Sequence, residues 1–284
     1  MTHTTIISTE SLASHLTDGW TIVDCRFDLQ RPDWGAAQYH ASHVPSAVYA
    51  SLNDDLAAPP TGTNGRHPLP SVDRMADTFG RLGIRSGMQV VAYDQDSGMY
   101  ASRLWWMLRY LGHDAVAVLD GGWAKWLREG RPTRDGVETN VTAAFTPRVR
   151  EDWRLNVDDV ARLVGHPRVQ LVDARGPERF EGRTEPLDRV AGHIPGATNH
   201  YYKDNVADDG TLLPATELRA SFDRTRRGRT PEEIVMYCGS GVTACHNLLA
   251  MEHAGLSGAR LYPGSWSEWS ADPTRPIATG PTTE

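Results

Sequence analysis

The sequence predicts an α/β protein built from two tandem copies, each a parallel sheet flanked by helices. Its 284 residues are at the upper limit for one hydrophobic core, so two domains are expected. Short apolar segments alternate with segments of helical period, the pattern of a parallel sheet covered on both faces. The chain also repeats itself. Thr21 to Arg26 (TIVDCR) matches Gln170 to Arg175 (QLVDAR), and Ser42 to Ala47 (SHVPSA) matches Gly192 to Ala197 (GHIPGA). Val90 to Asp94 (VVAYD) matches Ile234 to Cys238 (IVMYC), and Gly122 to Trp126 (GWAKW) matches Ser265 to Trp269 (SWSEW). The separation stays nearly constant, so the halves are read as copies.

Each copy is expected to open on a helical segment and continue into a strand ending in Asp-x-Arg. A loop to a His-(Ile/Val)-Pro turn follows, then helices, a second strand, another helix and a third apolar strand at Ala115 to Leu119 or Arg260 to Tyr262. Polar, aperiodic sequence begins near Arg131 and marks the boundary. The domains are therefore placed at 1–135 and 153–284, with a linker over 136–152. The Pro/Thr-rich tail is expected to be poorly ordered beyond Ile277, and Arg224 to Arg229 is read as a solvated loop.

A formal net charge of −7 without a long compensating basic run argues against nucleic-acid or anionic-membrane partners. The amino terminus lacks a basic segment followed by an apolar one, and no run of 18 apolar residues occurs, so a cytoplasmic protein is expected. Cys25, Cys238 and Cys245 are too few and scattered for a disulfide framework or a metal site, and no cofactor is called for. Cys25 lies in an apolar strand and is read as core. Cys245 is read as a packing thiol on a helix.

Cys238 is different. Ile234 to Tyr237 reads as a buried strand and Thr243 opens a helix, so Gly239-Ser240-Gly241 must turn between them. A free cysteine is usually a small buried hydrophobe. Here, at a strand's carboxyl end, Gly239 and Gly241 are expected to take φ > 0 and curl their amides inward. The following helix adds its positive end, an environment that favours a thiolate.

With these segments the chain resembles the tandem-domain rhodanese family of sulfurtransferases. The Asp-x-Arg strand, the Gly-His-Ile-Pro-Gly-Ala turn and the Cys-x-x-Gly-Val-Thr loop occur in the family's order. The loop CGSGVTA is most similar to the 3-mercaptopyruvate sulfurtransferase branch. The thiosulfate branch typically has Arg and Lys after the cysteine, where this chain has Gly239 and Ser240. Two loop cations suit a doubly charged thiosulfate, and a neutral loop suits a thiol acid whose carboxylate is gripped elsewhere.

The resemblance implies two rhodanese-like domains with a persulfide carried on Cys238. The small-molecule donor would be 3-mercaptopyruvate, or alternatively thiosulfate, and the acceptor a thiol, thioredoxin or cyanide. Asp94, where Cys238 would have its counterpart, implies a catalytically silent first domain that supplies one wall of the cleft. Ser240 would act with His67, and Gly239, Gly241, Val242 and Thr243 would cradle the outer sulfur. Arg179 would bind the donor carboxylate together with Arg189, for which Arg183 is a rival. The family's aspartate partner for the histidine falls on Asn53, with Asp54 and Asp55 alongside. Asp173, Arg175 and His193 recur as Asp24, Arg26 and His43, and residues present in both copies are expected to serve the fold. A related fold houses cysteine phosphatases, but these need Cys-x5-Arg, and the sixth residue after Cys238 is Ala244. A non-catalytic interaction module would suit the first half alone.

Overall fold

The computed structural model describes residues 2–281. The first sheet and its helices run β1 (Ile6–Ile7), α1 (Thr9–Ser14), β2 (Thr21–Asp24), α2 (Trp34–Ala41), β3 (Ala47–Tyr49), α3 (Val72–Arg81), β4 (Val90–Tyr93), α4 (Ala101–Tyr110), β5 (Val116–Leu119) and α5 (Gly122–Arg128). The second set runs α6 (Val157–Leu163), β6 (Gln170–Asp173), α7 (Pro177–Phe180), β7 (Thr198–Asn199), α8 (Ala215–Arg226), β8 (Ile234–Tyr237), α9 (Thr243–His253), β9 (Arg260–Leu261) and α10 (Ser265–Trp269). All strand pairs are parallel, in the orders β1-β5-β4-β2-β3 and β7-β6-β8-β9. The central strands β2, β4, β6 and β8 are buried along their whole length, which is why they read as continuous apolar runs.

Three strands lie outside the expected set: β1, β3 and β7 are two or three residues long, too short for a periodic signal. Arg224 and Arg226 close α8, and Arg227 caps it with φ 50°, so half of the expected basic loop is helix. Ala278 exchanges backbone hydrogen bonds with His193 (2.8 and 2.9 Å), and the Gly280 N–H donates to Glu181 O (2.8 Å). The tail is thus held to Gly280, and the rest of the expectation, over residues 282–284, lies outside the described residues.

The chain divides into two compact units. One comprises Met1–Ala58, Pro70–Arg150 and Val206–Leu212, and the other Pro59–Leu69, Glu151–Asn205 and Leu213–Glu284. Two short segments therefore cross the division expected from sequence. Pro59–Leu69 is tied into the second unit by the Arg66 N–H, which donates to Ser267 Oγ (2.9 Å). Val206–Leu212 is tied into the first by the Leu212 N–H donating to Asp120 Oδ1 (2.8 Å).

In the first unit Ile22, Val91, Tyr93, Ala117 and Trp126 pack into one core. In the second Leu171, Val235, Tyr237, Trp266 and Trp269 do the same. The buried carboxylates at the ends of β2 and β6 are paired. Arg26 Nη2 donates to Asp24 Oδ2 (2.6 Å) and to Ser42 O (2.7 Å). Arg175 Nη2 donates to Asp173 Oδ2 (2.7 Å) and to Gly192 O (2.6 Å). Each arginine thereby ties a central strand to the His-(Ile/Val)-Pro turn. His43 and His193 join the same framework, with Nδ1 2.8 Å from Tyr39 O and Phe180 O respectively. No helix among the described residues is long and apolar enough to cross a membrane.

Candidate active site

Strand β8 delivers Cys238 to the carboxyl edge of the second sheet, where ligands bind in open parallel sheets. Cys238 is 2% exposed. Its N–H donates to Ser265 Oγ (3.1 Å), and its carbonyl accepts from the Trp266 N–H (2.9 Å). Ser265 holds φ 57°, and its hydroxyl donates to Tyr262 O (2.9 Å), so the start of α10 braces the cysteine's backbone. The Gly241 N–H donates to Cys238 Sγ (3.1 Å), which places a backbone dipole where negative charge on sulfur would sit.

The two loop glycines serve different ends. Gly241 has φ +74°, and a Cβ there would lie 2.3 Å from Pro263 O, so conformation and close approach both require glycine. Gly239 is not among the residues with positive φ, which corrects the expectation that both glycines take the left-handed region. What its missing side chain provides is room. A Cβ at 239 would stand 3.0 Å from Arg66 Nη2, 3.4 Å from Arg179 Nη2 and 3.6 Å from Arg179 Nη1.

His67 and Ser240 meet. Nδ1 of the ring is 2.8 Å from Ser240 Oγ, and both residues are buried, at 4% and 6% exposure. The Pro59–Leu69 segment that brings His67 belongs to the second unit. Asn53 is exposed on the first unit. There Asp54 accepts from Ser51 Oγ (2.8 Å), and Asp55 accepts from the Ser51 N–H (2.8 Å) and pairs with Arg81.

Arg179 projects from α7 into an acidic pair, donating through Nη2 to Glu185 Oε1 (2.7 Å) and Asp188 Oδ2 (3.1 Å). Glu185 also accepts from Arg175 Nη1 (3.1 Å). Burial raises the Glu185 carboxyl, but its hydrogen bond from Arg179 and the adjoining guanidinium charges hold it below the usual range. Arg66 Nη1 pairs with Asp188 Oδ1, so Asp188 bridges Arg66 and Arg179. Burial pushes the Asp188 carboxyl up, against the pull of Arg66. Arg189 is exposed and makes no hydrogen bond or ion pair among the described residues. Arg183 is turned to Glu181 (2.8 Å). The guanidinium that accompanies Arg179 at Gly239 is therefore that of Arg66, which sequence reasoning missed. Its one sequence signal was its place beside His67.

Val242 and Thr243 lead into α9. Residues Ala244 to Met251 of that helix are all buried. Its polar members are tied in, with Asn247 Nδ2 donating to His200 O (2.9 Å) and Asn205 Nδ2 to Asn247 Oδ1 (2.8 Å). Cys245 Sγ donates to Gly241 O (3.2 Å). Among the described residues no group of three or more His, Cys, Asp or Glu side chains is placed to hold a metal ion.

A model of the rhodanese-like domain matches residues 8–129 and again 156–272. The chain belongs to the rhodanese family. A Pseudomonas aeruginosa protein named as a probable 3-mercaptopyruvate sulfurtransferase is 42% identical over 283 residues, covering 99% of this chain and 100% of that one. A thiosulfate sulfurtransferase of Cricetulus griseus is 32% identical over 97% of this chain and 95% of its own. The solved 3-mercaptopyruvate sulfurtransferase from Leishmania major superposes with a TM-score of 0.83 at 32% identity, over 94% of this chain and 74% of that one.

The first rhodanese domain shows what its loop holds without a cysteine. Asp94 is fully buried. Oδ1 accepts from the Asp96 and Gly98 N–H groups (3.2 and 2.9 Å), and Oδ2 from those of Tyr100 and Ala101 (2.6 and 3.1 Å). Burial, aided by Asp96, raises this carboxyl to about 6 against the pull of those amides. The backbone bracing repeats, because the Trp123 N–H donates to Asp94 O (2.9 Å) as that of Trp266 does to Cys238 O. In this rhodanese domain a carboxylate fills its own cradle of amides.

Proposed function

We propose that the second unit is a sulfurtransferase site that takes sulfur from 3-mercaptopyruvate, stores it as a persulfide on Cys238 and passes it to a thiol, thioredoxin or cyanide. The observation that carries this reading is the Cys238 loop itself, with an amide on Sγ, the His67–Ser240 pair on one side and guanidinium groups at Gly239. The Cys238 thiolate attacks the donor sulfur, and that sulfur's bond to carbon breaks. The electron pair leaves on pyruvate as its enolate, which takes up a proton, and Cys238 keeps the –S–SH group. An acceptor thiolate then attacks the outer sulfur and releases Cys238.

In this proposal Ser240 donates to the donor's carbonyl oxygen, and His67 holds and supplies the proton. Arg179 binds the carboxylate, and Gly239, Gly241, Val242 and Thr243 enclose the outer sulfur. The first unit, with Asp94 in place of a nucleophile, is the silent copy of a tandem duplication. Three free cysteines fit a reducing compartment, and the cytoplasm is proposed.

Incubation with 3-mercaptopyruvate should add about 32 Da, one sulfur, to the intact protein. The gain should vanish in Cys238→Ala. Sulfur transfer from mercaptopyruvate that survives in Cys238→Ala would overturn the assignment.

A further inference from the structure

Arg66 and Arg179 converge on Gly239, the loop glycine whose missing side chain leaves room. Each uses part of its fork on the acidic pair, through Arg66 Nη1 and Arg179 Nη2 and Nε. The remaining donors face the loop. Arg66 Nη2 is the closest side-chain atom to a Cβ at Gly239, Arg179 Nη1 lies 3.6 Å from it, and neither makes a hydrogen bond among the described residues. Arg66 Nε is buried and also lacks an acceptor. Of these groups Arg66 Nε is the buried one, costly to leave unpaired, while the outer Nη groups of the partly exposed Arg66 and Arg179 are open to an anion at the loop. The cluster is balanced without a ligand, since Arg66, Arg175 and Arg179 face Asp173, Glu185 and Asp188.

We propose that Arg66 is a donor-binding residue that selects for charge. Its guanidinium occupies the space a side chain at 239 would take and, with Arg179, grips the anionic end of the sulfur donor, holding a doubly charged end more tightly than a singly charged one. This rests on the sulfurtransferase reading of the same site. With thiosulfate the Cys238 thiolate attacks the outer sulfur, the S–S bond breaks, and the electron pair leaves on sulfite. A neutral loop next to the cysteine does not mean a neutral seat, because the cation arrives from a segment 172 residues earlier than Cys238. The backbone of that segment is anchored without the Arg66 side chain, through the bond from its N–H to Ser267 Oγ. Arg66→Gln should therefore fold.

The test separates binding from turnover. In Cys238→Ser protein, which cannot form a persulfide, titration calorimetry measures Kd for thiosulfate and for pyruvate, with and without Arg66→Gln and Arg66→Lys. Loss of a charge-assisted fork should weaken thiosulfate roughly 10-fold or more, weaken pyruvate less, and be partly restored by lysine. In the Cys238-containing protein the same substitution should raise KM for thiosulfate more than for mercaptopyruvate. Equal weakening of both anions, or none, overturns the role of Arg66. Failure of the unsubstituted protein to form a persulfide would instead overturn the sulfurtransferase reading, and the binding result would still decide on Arg66.

Discussion

His67 and Ser240, 173 residues apart in the chain, share a hydrogen bond of 2.8 Å inside the second unit. A buried imidazole against a buried hydroxyl can polarise it or pass it a proton, and the serine lies two residues from Cys238. Proton transfer by a positioned side chain contributes about 10²-fold or more. Ser240→Ala or His67→Asn should therefore lower kcat with mercaptopyruvate by that order. Because the two act as one unit, the double substitution should fall little further. Steady-state rates of the four proteins check this, and additive losses would show two independent roles.

Gly241→Ala would place a left-handed alanine against Pro263 O, 2.3 Å from the new Cβ, and would shift the amide that contacts Cys238 Sγ. Left-handed backbone alone costs about 1–2 kcal/mol for a residue with a Cβ. The urea midpoint should fall by at least that equivalent, with persulfide formation reduced in the protein that remains folded. An unchanged midpoint would mean that the loop relaxes away from Pro263.

Asp94 should give the first unit a distinct pH dependence. Its folded carboxyl is raised to about 6 from 3.8, so the folded state binds the proton more tightly than the unfolded chain. That contribution is fully present below pH 3.8 and is lost as pH rises through about 6. Lowering the pH from 7 to 5 should stabilise the parent protein relative to Asp94→Asn by about 1 kcal/mol, part of the roughly 3 kcal/mol of the whole transition. Urea unfolding at the two pH values measures the difference, and parallel pH profiles would contradict it.

The Asp173–Arg175 pair should matter to stability far more than a surface pair does. Both side chains are buried, and removing one partner leaves a desolvated charge, at a cost of about 3–5 kcal/mol. Glu185 and Gly192 O keep part of Arg175 satisfied, so Asp173→Asn is expected at the lower end. Arg183→Ala, which loses only a contact to Glu181, should change stability by about 0–1 kcal/mol. Denaturant curves of the two variants make the comparison.

Much of this protein was legible from local pattern. The apolar strands β2, β4, β6 and β8, the turn after Cys238 and the helix α9 follow from periodicity and glycine placement, because each is decided by neighbours a few residues away. Repetition of Asp24 and Arg26 as Asp173 and Arg175 marked residues that serve the fold, and both pairs brace a turn. Strands β1, β3 and β7 were not legible. At two or three residues they exist only because a longer neighbouring strand offers its edge.

At the site, the sequence by itself determined the strand–loop–helix setting of Cys238 and, through family resemblance, pointed to Ser240 and His67, which the fold brings within 2.8 Å of each other. Tertiary structure decided which charges surround them. The resemblance pointed to Arg189 as the companion of Arg179, and its side chain is exposed, while Arg66 comes to Gly239 through the passage of Pro59–Leu69 into the second unit. Asp188 bridging Arg66 and Arg179 has no local signature either. Charge acts through space over a few ångströms, and chain order does not say which distant segment a fold will place there.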